Sequence, residues 1–492
     1  MIEGRLDMKN KNLFKVLLIS IACYVVLSWI IVSGNFSEST YTASGINQIG
    51  LLDLFLAPIN LFNYFTVTVT KNINGYVNQI GYCNIIISFI CIAFTYGILN
   101  KIDAYSSLIN NIKNKVKKKK EIFLIFIAVF YCLFSALTGL NLILFMYFPF
   151  ISTILGKLKY NKFIIFISTI GAMLVGQLGS IINPSINGLN RVLFQVKIID
   201  GLLPRIILFF MLLITLVAFI YLKDDKEVKK EEKYLLFDYD KKITKNSNNN
   251  YYPIVISFSV LTIIFIICMY NWYYMFNSTT ITGAYTNINS YGIHGYKFMK
   301  NLFGISEAFG YWTGFTMSAF LIIECLVLSF IYRLKLDDIV DGAKKGINDM
   351  FPTIFYSIIS LTIIVLSLYN NNSFIYTVIN FIFNNFKSSQ IICVLTTGIF
   401  HNLFINDYFA LVSSISNPLV SIFGVEKINL TLMCTQLAHG LVSFITPFNV
   451  YLIAGLAYLN ISYKDWIKNI WKYLLVVLLI CFVVLFIVKS FI

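Results

Sequence analysis

Apolar residues in this 492-residue chain come in long blocks, with neither the alternation of strands nor the narrow stripe of soluble helices. A membrane-spanning helix needs about 20 mostly apolar residues. Nine blocks approach or exceed that length, near 13–34, 82–99, 161–195, 203–222, 253–275, 310–332, 351–369, 428–460 and 470–490. Two further stretches, 121–156 and 389–424, are too long for one helix and are interrupted by polar residues, which predicts helical hairpins that enter and leave on the same side. Two of the crossings are broken at their centres. Residues 174–188 read Leu-Val-Gly-Gln-Leu-Gly-Ser-Ile-Ile-Asn-Pro-Ser-Ile-Asn-Gly, and residues 435–449 read Thr-Gln-Leu-Ala-His-Gly-Leu-Val-Ser-Phe-Ile-Thr-Pro-Phe-Asn. Backbone opened at membrane depth is tolerated only where protein or a cavity satisfies it. Paired broken segments in two halves are the sequence mark of a secondary transporter's substrate site.

The predicted elements fall into two halves with the same order: span, span, amphipathic stretch, hairpin, broken span, span. These are a first repeat, 8–222 (hairpin 121–156, broken helix 161–195), and a second, 310–492 (hairpin 389–424, broken helix 428–460). Between them lie a cytoplasmic linker at 223–252, a connecting span at 253–275 and an external loop at 276–309. The single connecting crossing inverts the second half. Gly139 precedes Pro184 by the interval at which Asn402 precedes Pro447, and Gln-Leu opens both broken segments at Gln177 and Gln436. The expected fold is an all-α polytopic membrane protein with inverted structural repeats, nine transmembrane helices and two re-entrant hairpins. Within residues 1–7, Ile2-Glu3-Gly4-Arg5 spells a protease-cleavage site, and the expected native start is Met8.

Composition agrees: 58% of residues are hydrophobic and 12% charged, which excludes an ordinary soluble class. The net charge of +15 resides in short loops and orients the spans, so nucleic acid is not a partner. Lys113, Lys115 and Lys117 to Lys120 lie before the first hairpin and Lys157 and Lys159 after it, so both of its ends are cytoplasmic. Residues 33–50 carry no Lys or Arg and are external. This places the amino terminus in the cytoplasm of a bacterial cell and the carboxyl terminus outside the membrane. The nine cysteines show no ligand spacing, the histidines number three, and no protease, hydrolase or phosphate-loop motif is present. No catalytic residue, metal site or cofactor is expected beyond Na+ or H+ as a coupling ion.

The chemistry therefore belongs to the breaks and the hairpin tips. In the first break Pro184 removes a backbone donor and Gly179 eases unwinding, so Ser180, Asn183, Ser185 and Asn187 can present polar groups beside freed carbonyls. The second break offers Ser443, Thr446, Pro447 and Asn449. The first tip offers Ser135, Thr138, Gly139 and Asn141, and the second Asn402 and Asn406. For coupling to an ion or proton the candidates are Asp407, His439, His401 and Glu324, since ionisable groups at membrane depth are functional by default. The bland readings are a plain proline kink, a satisfied histidine at a helix interface and a structural ion pair.

Several motifs carry a family resemblance. Asp337-Asp338-Ile-Val-Asp341-Gly342-Ala343-Lys344-Lys345 behind the span holding Glu324, Leu51-Leu52-Asp53-Leu54-Phe55-Leu56-Ala57-Pro58-Ile59, Gly179-Ser180-Ile-Ile-Asn183-Pro184, and Gln436 to Pro447 followed by Ala454-Gly455-Leu456-Ala457 and Tyr463-Lys464-Asp465-Trp466 together resemble the YfcC-type carriers. These belong to the C4-dicarboxylate anaerobic carrier family of the ion transporter superfamily, related to the AbgT-type transporters. The resemblance implies an elevator-type homodimer carrying amino acids, including arginine exchanged for ornithine, or dicarboxylates. Three positions depart from the family pattern. The first tip, Gly139-Leu140-Asn141, lacks acids; the second has Asn402-Leu403-Phe404-Ile405-Asn406-Asp407 where small residues are usual; and Ala438-His439-Gly440 replaces Gly-Asp-Gly.

The resulting expectation is a secondary active transporter, antiporter or ion-coupled symporter, for an amino acid or another small carboxylate-bearing metabolite, with the lipid bilayer as its surroundings. The alternatives are a C4-dicarboxylate or peptide carrier and, from another class, a transporter-derived receptor or scaffold without turnover.

Overall fold

The computed structural model describes residues 7–37, 39–63, 67–71, 77–80, 82–223, 250–293, 295–297, 300–301, 307–369 and 373–491. Most of the expected linker at 223–252, six of the seven leading residues and part of the loop at 276–309 lie outside the described residues.

The described chain is mostly helical. Among the described residues, seven helices are long and apolar enough to cross a membrane. Lys11–Ile30, Leu202–Lys223, Tyr252–Met269, Gly314–Ile331, Leu336–Ser367 and Tyr463–Lys489 coincide with expected crossings. The seventh, Asp103–Thr138, joins the amphipathic stretch to the first arm of the first hairpin. Of the other three expected crossings, Cys83–Leu99 has 17 residues and each broken segment is divided, so none forms one long apolar helix.

Each expected hairpin is present as two helices joined by a short turn. The first pairs Lys120–Thr138 with Asn141–Lys157, and the second pairs Gln390–Phe404 with Tyr408–Phe423. Gly139 ends the first arm at φ 67°, the left-handed geometry that favours glycine at a helix end. The first broken segment runs as Lys162–Leu178, opens at 179–183 and resumes at 184–194. The second runs as Ile428–Ser443, opens at 444–449 and resumes as Val450–Tyr458.

The packing places each hairpin beside the break of its own half. Lys120–Thr138 lies on Ala172–Leu178, and Gln390–Phe404 lies on Ile428–Ser443. The two broken segments also meet. A Cβ on Gly440 would fall 2.6 Å from the Leu178 Cα, so only glycine admits this crossing. A second backbone contact joins Cys83–Leu99 to Leu336–Tyr369: a Cβ on Gly97 would lie 2.1 Å from the Gly342 carbonyl oxygen, and one on Gly346 would lie 2.0 Å from the Ala93 carbonyl oxygen. Small residues four apart on both helices produce this approach, as in other membrane helix pairs.

Among the described residues three two-stranded antiparallel ribbons, Ser33–Ser37 with Thr40–Gly45, Val67–Lys71 with Val77–Ile80, and Gly292–Ile293 with Tyr296–Lys297, add to the helical expectation. The first bridges Gly34 to Ser373 at the start of the amphipathic helix Phe374–Phe386, where Tyr41 OH and Thr377 Oγ1 are 2.7 Å apart. Its Ser, Thr and Tyr residues form no apolar block, so hydropathy passes over them.

Candidate functional site

Each tip is tied to its own break. In the first half Asn183 caps the resumed helix by accepting from the Ser185 N–H at 2.8 Å, and its amide donates to the Ser135 carbonyl at 3.4 Å. The Ile181 N–H reaches the Ala136 carbonyl at 3.0 Å. Ser135 donates to Asn141 Oδ1 at 2.9 Å, and Thr138 Oγ1 accepts from the Leu140 N–H at 3.2 Å. A Cβ on Gly139 would meet Asn183 Oδ1 at 2.1 Å, so glycine is required there for space as well as for φ.

In the second half Asn449 caps its resumed helix through the Leu452 N–H at 2.9 Å and donates to Asn406 Oδ1 at 2.8 Å. Ser443 donates to the same oxygen at 3.2 Å, and Thr446 donates to the Leu403 carbonyl at 2.8 Å. Both contacts fix the Asn406 amide, whose Nδ2 is buried with no partner. Asp407 caps the second arm by accepting from the Ala410 N–H at 2.7 Å. Ser360 satisfies the Pro447 carbonyl at 3.0 Å.

One group crosses between the halves. Gln436 donates to the Leu178 and Ser180 carbonyls at 2.9 and 3.2 Å, supplying two of the donors the first break needs. Asn187 donates to Ser180 Oγ at 2.7 Å, and Gly179 packs on Phe209.

Both tips and both breaks open on a cavity of about 510 Å³. Of the residues singled out in the sequence, Thr138, Asn183, Pro184, Ser185, Asn406, Asp407, His439 and Asn449 line it. Ser135, Gly139, Asn141, Gly179, Ser180, Asn402, Ser443, Thr446 and Pro447 stand behind them, and Asn187 lines a different cavity. His439 shares Nδ1 with Asn402 Oδ1 at 2.7 Å. The Asn402 amide donates to the Gly398 carbonyl, so its oxygen is the acceptor and the neutral ring keeps its proton on Nδ1. His401 is fully buried with neither ring nitrogen bonded, and Glu324 is buried in Gly314–Ile331; neither lines the cavity.

Tyr82 and Thr313, which the sequence did not single out, and Gln177, which it marked only as opening a broken segment, line the cavity and bury an oxygen without a partner. The sequence marks Gln177 and Gln436 as a matched pair. The structure gives them different work, one facing the cavity and the other bridging the halves.

The sequence profile of the C4-dicarboxylate anaerobic carrier family matches residues 11–490. The chain belongs to that family. It is a membrane carrier and not an enzyme. No curated protein matches it in sequence. The YdaH transporter of Alcanivorax borkumensis resembles it over 98% of both chains at 12% identity and a TM-score of 0.37, too distant to carry an argument about the fold.

Proposed function

We propose that this carrier moves an amino acid or a similar small zwitterion through the cavity between the hairpin tips. The observation that carries the reading is the charge of the lining: among the described residues Asp407 is its one formally charged side chain, and no Lys or Arg is present. Helix amino termini at Asn141, Pro184, Tyr408 and Val450 begin beside it, and amino termini favour a carboxylate. A carboxylate on those ends and an ammonium on Asp407 give each charge of a zwitterion a counterpart. Asp407 and His439 are the coupling candidates for Na+ or H+, with His401 and Glu324 as more distant ones.

The family's description favours a second reading, a C4-dicarboxylate. Such a substrate brings two negative charges to a cavity that already holds one, so it would need Asp407 neutralised by a proton or sodium.

The rest of the mechanism is proposed on the order of elements. Span, span, amphipathic helix, hairpin, broken segment and span recur in the two halves, which supports inverted repeats and an elevator-type movement, in a homodimer with a cytoplasmic amino terminus and an external carboxyl terminus. Cysteines placed at Lys118 and Lys157 should both be labelled from the cytoplasm, and labelling from opposite sides rules out a re-entrant first hairpin.

Counterflow in proteoliposomes preloaded with amino acids, dicarboxylates or short peptides, at two pH values with and without sodium, decides among these readings. Exchange of amino acids supports the zwitterion site. Dicarboxylate flux that requires protons or sodium supports the second reading, and saturable binding without flux makes the protein a receptor.

A further inference from the structure

A separate cavity of about 500 Å³ lies between the loop 195–201, the start of Leu202–Lys223, the second broken segment and the end of Tyr463–Phe491. One wall is apolar, built by Leu203, Ile207, Val484 and Val488; the other holds Arg205, Lys197 and Asn190.

Arg205 is buried and held in a cage of neutral oxygens. Its Nε donates to the Gly201 carbonyl at 3.0 Å, Nη1 to Ile181 at 3.1 Å, and Nη2 to Ile198 and Asp200 at 2.7 Å each. Carbonyls fix the guanidinium but carry no formal charge, and one Nη1 N–H is left for a further acceptor. The one acid lining the cavity, Asp200, accepts from the Lys197 backbone N–H at 3.1 Å. Two cations and one acid leave the cavity net positive.

Its position in the fold identifies the kind of anion. Leu203 and Ile207 are exposed on a span, and the basic residues sit at the beginning of that span, beside the last turns of another. That is the depth of lipid headgroups, on the external face in the orientation proposed above, so the net positive charge of the cavity itself, not a surface potential, selects an anionic lipid. A free phosphate would use the cations and leave the apolar wall empty, whereas a phospholipid fills both. We propose that this cavity holds one anionic phospholipid, its phosphate on Arg205 and Lys197 and an acyl chain along Leu203, Ile207, Val484 and Val488. Asn190 accepts from Tyr408 OH at 2.9 Å, and Tyr408 lies edge-on to His439 at 5.5 Å. The lipid thus sits one hydrogen bond behind the substrate cavity.

The test is lipid retention by the purified full chain after exchange out of mixed phosphatidylcholine and phosphatidylglycerol, measured by mass spectrometry. One phosphatidylglycerol per chain is expected, with no retained phosphatidylcholine. Lys197→Gln should lower retention about fivefold, the worth of one basic contact to an anionic surface. Leu203→Trp, at an exposed position outside the carbonyl cage, should fill the acyl wall and lower it as much while the protein stays monodisperse. Equal retention of both lipids, or unchanged retention in both variants, overturns the proposal. Displacement by glycerol 3-phosphate at matched concentration overturns the lipid in favour of a small phosphate ester.

Discussion

The two hairpin tips do the same job by different means. The first turns on Gly139 and Leu140, carries no charge and is closed by the Asn183 amide lying where a Cβ would be. The second turns over Ile405 to Asp407 and brings a carboxylate to the cavity, with Asn406 joined to two residues of its break and His439 joined to Asn402. Hydrogen bonds tie both tips to their breaks, but the first adds a steric requirement at Gly139, whereas the second adds the Asn406 side chain held by Ser443 and Asn449. Of the two tips, only the second brings a formally charged side chain to the cavity wall, Asp407.

The sharpest way to break this contrast is Asp407→Asn. Asparagine still caps a helix, so folding should survive while uptake falls about 100-fold, or about 3 kcal/mol, as for other buried charge partners. Unchanged uptake with unchanged ion dependence would return Asp407 to a cap alone. Gly139→Ala should act on stability instead, costing about 2 kcal/mol for the left-handed conformation before the collision with Asn183 is added. Its readout is the midpoint of thermal unfolding in detergent, and a midpoint equal to the parent's would show that the first tip has slack. Gln436→Leu leaves two carbonyls of the first break unpaired and should destabilise by about 1.5 kcal/mol. Gln177→Leu should be the mildest in stability, within about 0.5 kcal/mol, because its Oε1 already lacks a partner. If Gln177→Leu nonetheless alters uptake, the first half contributes to recognition and the contrast softens.

The hairpins and breaks were legible in the sequence because they are interruptions of apolar blocks, and Gly139, Pro184 and Asn449 mark their turns directly. The expected stretch 121–156 compares with helices Lys120–Thr138 and Asn141–Lys157, and 389–424 with Gln390–Phe404 and Tyr408–Phe423. The span expected at 351–369 begins earlier, at Leu336, because Asp337 to Lys345 form its polar, helical start and hydropathy alone drops them. Pairings between halves were not legible: nothing local says that Gln436 serves the carbonyls of Leu178 and Ser180. For the same reason the sequence offers Glu324 and His401 beside Asp407 and His439 as coupling candidates, whereas the fold puts only the latter two on the cavity wall.

The backbone contact between Cys83–Leu99 and Leu336–Tyr369 sets a frame of reference. Where Gly97 touches the Gly342 carbonyl oxygen and Gly346 approaches Ala93, no side chain lies between the helices to act as a bearing, so neither can slide past the other without losing van der Waals contact along its length. If the hairpins travel as proposed, this close backbone contact predicts that the two helices keep their mutual distance. Spin labels on this pair test that: an unchanged distance with and without substrate makes it the ruler for the hairpins, and a changed distance removes it from that role.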